Sequence, residues 1–153
     1  MYSKQEASQL RREFWTTFGQ YMRPVLSAEG QKINWINYKT GEKPIFFRMR
    51  ADNKQALIAI EITHRDDGLR QLYYDQLLQY RNLLHQVLQE EWCWETHYVG
   101  EDGKPVSRIY KEKAGVTIFQ KSDWPQLISF LKPRIIALDE FWSSVKYAFE
   151  ALR

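Results

Sequence analysis

The chain has 153 residues, a formal net charge of +3 from 22 Lys and Arg against 19 Asp and Glu, and 44% hydrophobic residues. This length and composition exclude collagen-like, low-complexity and disordered classes and predict a single domain over residues 1–153, with a core that needs neither disulfides nor metal. Cys93 is the only cysteine. No apolar stretch reaches the about 18 residues of a membrane span, and the N-terminal segment lacks the apolar core of a secretory signal, so we expect a cytoplasmic protein.

The first predicted element is a helix that begins at Ser3. Ser3 and Glu6 have the spacing of a capping box, in which each side chain satisfies a free backbone N–H at a helix start. Apolar residues then recur at helical spacing as far as Tyr21, and Pro24 ends the helix.

Three strands are predicted next, as an antiparallel meander. Segment 33–38 is rich in β-branched and aromatic residues, and further strands run over about 45–51 and 55–63. Because side chains alternate along a strand, Phe47 and Ile60 belong to an apolar face. The opposite face carries Phe46, Arg48, Arg50 and Glu61.

A second helix and a second group of strands follow. Asp66 or Asp67 caps the helix, whose apolar stripe continues to Leu88. Strands are predicted over 92–99 and 106–111, with a short last strand over 116–119.

The last predicted element is a long helix that opens at Ser122. Its apolar residues step by four and three from Trp124 to Leu152, as in a heptad seam. Pro133 interrupts this seam and predicts a kink or a break. Two interpretations stay open: the seam packs on the first helix or the sheet, or it pairs with the same helix of a second copy in a homodimer.

Several short segments resemble one known family. They are Phe14-Trp15, Ile58-Ala59-Ile60-Glu61-Ile62, Trp94-Glu95 and Ser107-Arg108-Ile109. With the helical tail, they resemble domain of unknown function family 4268 (DUF4268), from bacteria and archaea, over about residues 8–142. The resemblance implies work near nucleic acid, because this domain often follows a nuclease-like domain, although we expect that 153 residues leave no room for such a domain here.

The predicted fold class is α/β (α+β): a mostly antiparallel, mixed sheet with the first and last helices on one side and the middle helix on the other. The element order also occurs in restriction-endonuclease-like enzymes, which bind Mg²⁺ through an acid and a Glu-x-Lys motif. Here Glu61 is followed by Thr63 instead of Lys, and about 25 Å of extended chain separates Asp52 from Glu61. A rearranged acidic site would need Glu61 with Glu42, Asp66 or Asp67. The alternative is that Glu61 pairs with Arg48 or another base.

Arg48, Arg50 and Arg108 are the candidate residues for binding nucleic acid or another anion. Arg48 and Arg50 share a strand face and suit phosphate oxygens, with Phe46, Trp35 and Tyr38 available to stack on bases if exposed. The alternative is ordinary surface charge, since the pI of about 8.9 is below that of strongly basic domains. Arg108 either forms an ion pair with Glu95 or Glu112 or holds an anion in a cleft.

The remaining polar residues do not form a catalytic pattern. Cys93 and His97 are about 13 Å apart along a predicted strand, which is too far for shared zinc or for a catalytic pair. We assign no catalytic residue, metal or cofactor. The sequence favours a non-catalytic binding or accessory module for nucleic acid or protein, with a divergent metal-dependent nuclease at Glu61 and a structural homo-oligomeric protein as alternatives.

Overall fold

The computed structural model describes residues 3–153, which form four α-helices, two 3₁₀ helices and one four-stranded sheet. The elements in chain order are α1 (Lys4–Met22), β1 (Ile45–Ala51), β2 (Gln55–Ile62), α2 (Asp67–Leu78), α3 (Arg81–Leu88), β3 (Cys93–Val99), β4 (Pro105–Ala114) and α4 (Trp124–Val145). The 3₁₀ helices Lys121–Asp123 and Lys146–Leu152 lie on either side of α4. The predicted α+β class with a long C-terminal helix is confirmed.

Two predicted helix caps are present. The Ser3 hydroxyl accepts a hydrogen bond from the Glu6 amide at 3.1 Å, and the Asp66 carboxylate accepts one from the Leu69 amide at 2.9 Å. The predicted middle helix is divided into α2 and α3 at Gln79 and Tyr80.

The sheet is antiparallel throughout, with strand order β1-β2-β4-β3. One row of paired residues crosses all four strands: Phe47 opposite Ile60, Ile60 opposite Ile109, and Ile109 opposite Trp94. The predicted apolar face is therefore confirmed, and the predicted mixed character of the sheet is wrong.

Segment 33–38 is a loop and not the predicted first strand. The Asn34 side chain accepts hydrogen bonds from the amides of Ile36 and Asn37, which folds the backbone into a turn. Trp35 donates its indole N–H to the Val25 carbonyl at 3.0 Å and is buried in the core. These contacts override the β propensity of the segment.

The predicted last strand over 116–119 is also absent. Gly115 takes a positive φ of 79°, which ends β4, and the Ile118 amide donates to the Asp52 carbonyl in the β1–β2 turn. Val116 and Ile118 are buried in the core without joining the sheet ladder.

Helices α2 and α4 both cover the apolar face. The Trp142 ring stands edge-on to Phe47 at 6.1 Å between centroids, and the Tyr74 ring stands edge-on to Trp94 at 5.7 Å. The prediction that the middle helix covers the opposite face is wrong, because Tyr74 of α2 contacts Trp94 on the apolar face. Helix α1 packs on the start of α4, where Phe14 meets Trp124 at 5.5 Å.

The heptad seam of α4 packs inside the chain. Leu131, Ile135 and Leu138 have no exposed surface, and Trp142 retains 2%. Of the two interpretations, the structure therefore shows internal packing. Helix α4 continues through Pro133, so of the predicted kink or break, the break is not present.

Candidate binding site on the open face of the sheet

In residues 3–153, no helix packs across the second face of the sheet, and this face presents a row of polar side chains. Phe46 is opposite Glu61, Glu61 is opposite Arg108, and Arg108 is opposite Glu95, so these four residues cross the sheet from β1 to β3. Strand alternation places Arg48, Arg50 and Tyr110 beside this row. We call this surface the open face.

Glu61 is held by two arginines of the neighbouring strand. Its Oε2 lies 2.5 Å from Arg50 Nη1, its Oε1 lies 3.3 Å from Arg50 Nη2, and Arg48 Nε lies 3.8 Å from Oε1. Because Glu61 is only 7% exposed, its negative charge is costly to bury, and the two arginines offset that cost. The predicted pairing of Glu61 with a base on β1 is confirmed, with Arg50 closer than Arg48.

Arg108 lies between two aromatic rings. Its guanidinium carbon is 3.5 Å from the centroid of the Tyr98 ring and 4.0 Å from that of Tyr110. Its Nε donates to Glu95 Oε1 at 2.6 Å, which confirms the predicted ion pair with Glu95. The stacking fixes the plane of the guanidinium, because both rings attract the cation through their faces.

A β-bulge brings Tyr98 to the open face. The pairing of β3 with β4 shifts between Glu95 and Tyr98, so that Tyr98 stands opposite Val106 instead of Pro105. Val106 precedes Arg108 by two residues and shares its side of the strand. Without the extra residue, Tyr98 would point to the helix-covered face.

The terminal nitrogens of Arg108 have no hydrogen-bond acceptor in residues 3–153. The Arg108 side chain is only 10% exposed, yet Glu95 is its one polar partner in this range and is reached through Nε. A buried guanidinium ordinarily has most of its five donors satisfied. Neither terminal nitrogen of Arg108 is among the buried unpaired atoms of the described residues, so both reach solvent and are available to a ligand.

Arg108 forms part of a cleft of about 620 Å³. The cleft is bounded by the open face, by the β1–β2 turn at Asp52 and by the β3–β4 loop at 100–104, and Arg50, Leu57 and Tyr98 contribute to its wall. This volume is within the range of small-ligand and side-chain binding pockets. Burial, and then the negative charge of Glu95, raise the pKa of Tyr110, so its hydroxyl keeps its proton at neutral pH.

Two aromatic residues predicted for this surface lie elsewhere. Trp35 is in the core, and the Tyr38 hydroxyl donates to Asp139 Oδ1 at 2.6 Å, on the side of α4. Phe46 does belong to the open face, where the Arg48 guanidinium covers its ring at 4.1 Å. The rings that flank Arg108 are those of Tyr98 and Tyr110. Strand alternation predicts that Tyr110 shares the face of Arg108, whereas no sequence pattern singled out Tyr98.

The acids considered for a metal site have other partners. Glu42 pairs with Arg153 at 2.8 Å, Asp66 caps α2, and Asp67 pairs with Arg70. Within residues 3–153, no three His, Cys, Asp or Glu side chains are close enough to share a metal ion. None of the helices in this range is both long and apolar enough to cross a bilayer.

Comparison with protein families identifies a similarity. The family model described as "Domain of unknown function (DUF4268)" matches residues 10–146, nearly the whole chain. No curated protein and no solved structure matches it significantly.

Proposed function

We propose that this chain, which belongs to the DUF4268 family, is a non-catalytic binding module that takes an anionic group of a partner into the cleft of the open face. One observation carries the proposal. Arg108 is buried and stacked between Tyr98 and Tyr110, and its terminal nitrogens have no acceptor in the described part of the chain.

An oxyanion is the natural ligand for this arrangement. Arginine presents its terminal N–H groups as a planar fork that matches the two oxygens of a carboxylate or phosphate. The rings of Tyr98 and Tyr110 hold that fork in place before binding, so little side-chain entropy is lost when the anion arrives. Arg50, at 54% side-chain exposure, lies on the wall of the same cleft.

The alternative of a metal-dependent nuclease at Glu61 has less support. A divalent cation needs free carboxylate oxygens, and both oxygens of Glu61 are in contact with Arg50. The positive charges of Arg48 and Arg50 also repel a cation at that position.

The partner of a cytoplasmic module of this kind is a nucleic acid or a protein. Arg48 and Arg50 favour phosphate contacts, because 40% and 54% of their side-chain surfaces are exposed. A homodimer formed through the α4 seam has less support, because its central residues are already buried in one chain.

The test uses inorganic phosphate as a probe and the arginine Nε–H signals in NMR as the readout. We expect phosphate to shift the Arg108 signal saturably, with a millimolar dissociation constant typical of one small anion on an exposed cleft. Arg108→Gln should abolish the saturable response of the neighbouring Tyr98 and Tyr110 rings, because it removes the charged fork.

Arg134→Gln is the matched control. Arg134 also stacks on an aromatic ring, Phe130, and pairs with Glu90, but its terminal nitrogens already have acceptors. This variant should keep the response at Arg108. Equal, non-saturating shifts at all arginines would indicate simple charge screening and would contradict the proposal.

A further inference from the structure

The cleft around Arg108 is more acidic than the rest of the molecule. Five acidic side chains line it, against three basic ones. The acidic residues are Asp52, Glu61, Glu101, Asp102 and Glu112. The whole chain carries a net charge of +3, so the acidity of this cleft is a local property.

Four of these carboxylates have no cationic partner in the described residues. Glu61 is held by Arg50, whereas Asp52, Glu101, Asp102 and Glu112 form no ion pair there. One carboxylate oxygen of Asp52 accepts hydrogen bonds from the amides of Lys54 and Gln55, which do not neutralise its charge. These four residues form the rim of the cleft together with Lys104, so the rim is negative overall, whereas Arg108 within the cleft is a cation with free donors.

This charge arrangement disfavours an extended polyanion. A nucleic acid that placed one phosphate on Arg108 would bring its neighbouring phosphates towards the carboxylates of the rim, where like charges repel. A ligand with one anionic group and positive groups on either side complements both parts of the cleft.

The other wall residues are of the types enriched in protein interfaces. Trp15, Arg50 and Tyr98 line the cleft together with the apolar side chains of Leu57 and Val106. Tyrosine, tryptophan and arginine are enriched in protein-binding hot spots, because each combines apolar area with a polar group.

We infer that the partner is a protein segment in which an acidic side chain stands between basic residues, with its carboxylate on Arg108 and its cations on the acidic rim. This inference rests on the proposed function and specifies the ligand. The carboxylate supplies the missing acceptors of Arg108, and the flanking lysines or arginines pair with Glu101, Asp102 and Glu112.

Three labelled probes test this inference by fluorescence anisotropy. The first is a short peptide with one Glu flanked by lysines, the second has the same length with one Lys flanked by glutamates, and the third is single-stranded oligothymidine. We expect the lysine-flanked peptide to bind, and the glutamate-flanked peptide and oligothymidine to bind at least about tenfold more weakly. The Arg108→Gln variant should bind the lysine-flanked peptide about tenfold more weakly or worse.

Charge reversal of the rim provides a matched pair of variants. The double variant Glu101→Lys with Glu112→Lys should lower the affinity for the lysine-flanked peptide by about tenfold, because two favourable charge pairs become repulsive. The same variant should raise the affinity for oligothymidine. Glu140→Lys with Glu150→Lys makes the same change in net charge at exposed positions outside the cleft lining, and should leave both affinities unchanged within about twofold.

The outcomes separate this inference from the proposed function. Tighter binding of oligothymidine that depends on Arg108, Arg48 and Arg50 would overturn the inference in favour of nucleic acid, and the anion-binding module would stand. Equal binding of the two peptides, or no binding of the first while phosphate still shifts Arg108, would overturn it in the same way. No response of Arg108 to phosphate and no peptide binding would overturn both.

Discussion

Asp139 joins the long helix α4 to the loop that precedes β1. Its Oδ1 accepts a hydrogen bond from the Tyr38 hydroxyl at 2.6 Å, and its Oδ2 accepts one from the Ala28 amide at 2.7 Å. Asp139 is only 4% exposed. Burial, and then the hydrogen bond to Asp139, raise the pKa of Tyr38, so the hydroxyl stays protonated and remains a donor. One carboxylate thus anchors two points of a loop more than 100 residues away in sequence.

We expect Asp139→Asn to lower the free energy of unfolding by about 1–3 kcal/mol, because an amide nitrogen replaces one of two buried acceptors. Urea denaturation measures the change. Glu140→Gln is the control, since Glu140 is the exposed neighbour on the same helix and its side chain makes no hydrogen bond in the described residues. Equal losses in the two variants would refute the anchoring role of Asp139.

At the scale of elements, α4 contains a proline that its packing tolerates. The helix runs from Trp124 to Val145 without a break at Pro133, whose ring removes the hydrogen bond that the Ser129 carbonyl would otherwise accept. Pro125 lies at the second helical position, where the backbone N–H has no intrahelical acceptor in any case. Pro133 therefore removes a hydrogen bond from the helix, whereas Pro125 does not.

Pro133→Ala should raise the free energy of unfolding by about 1–3 kcal/mol, since alanine restores a helix hydrogen bond at an exposed position. Pro125→Ala should leave stability unchanged or slightly reduced, because it restores no bond and frees the unfolded chain. Thermal unfolding of both variants compares the positions. A stability gain at Pro125 as large as that at Pro133 would contradict this account.

At the scale of the whole molecule, stability comes from one core between the apolar face of the sheet and the helices. Leu131 is completely buried in that core, whereas Leu72 on α2 is 50% exposed. The open face on the other side contributes ion pairs and stacked rings around Arg108 and Glu61. In the described residues the core lies on one side of the sheet, and the cleft of the proposed function lies on the other.

We expect Leu131→Ala to lower the free energy of unfolding by about 2–5 kcal/mol, because it leaves a cavity in a closed core. Leu72→Ala should cost well under about 1 kcal/mol, since solvent already reaches that side chain. The loss of stability in Leu131→Ala should not depend on protein concentration, because the contacts of Leu131 lie within one chain. A concentration-dependent midpoint of unfolding would instead indicate that the seam is shared between copies.

Local patterns were enough to predict the class, the main strands, the caps at Ser3 and Asp66, and the side of the sheet for Arg48, Arg50 and Glu61. These features depend on the helical and strand periods and on residues close in sequence. The ion pair of Arg108 with Glu95 was also predictable as one of two options, because a buried arginine needs an acidic partner.

The remaining features depend on contacts between residues that are far apart in sequence. Segment 33–38 has a strand composition, but Asn34 and the distant Asp139 hold its loop in place. Tyr98 reaches Arg108 only because a bulge adds one residue to β3, which reverses the face of every side chain that follows. The acidic residues of the cleft come from the two opposite ends of the β2–β4 pair, and no local period predicts that one cleft reaches both.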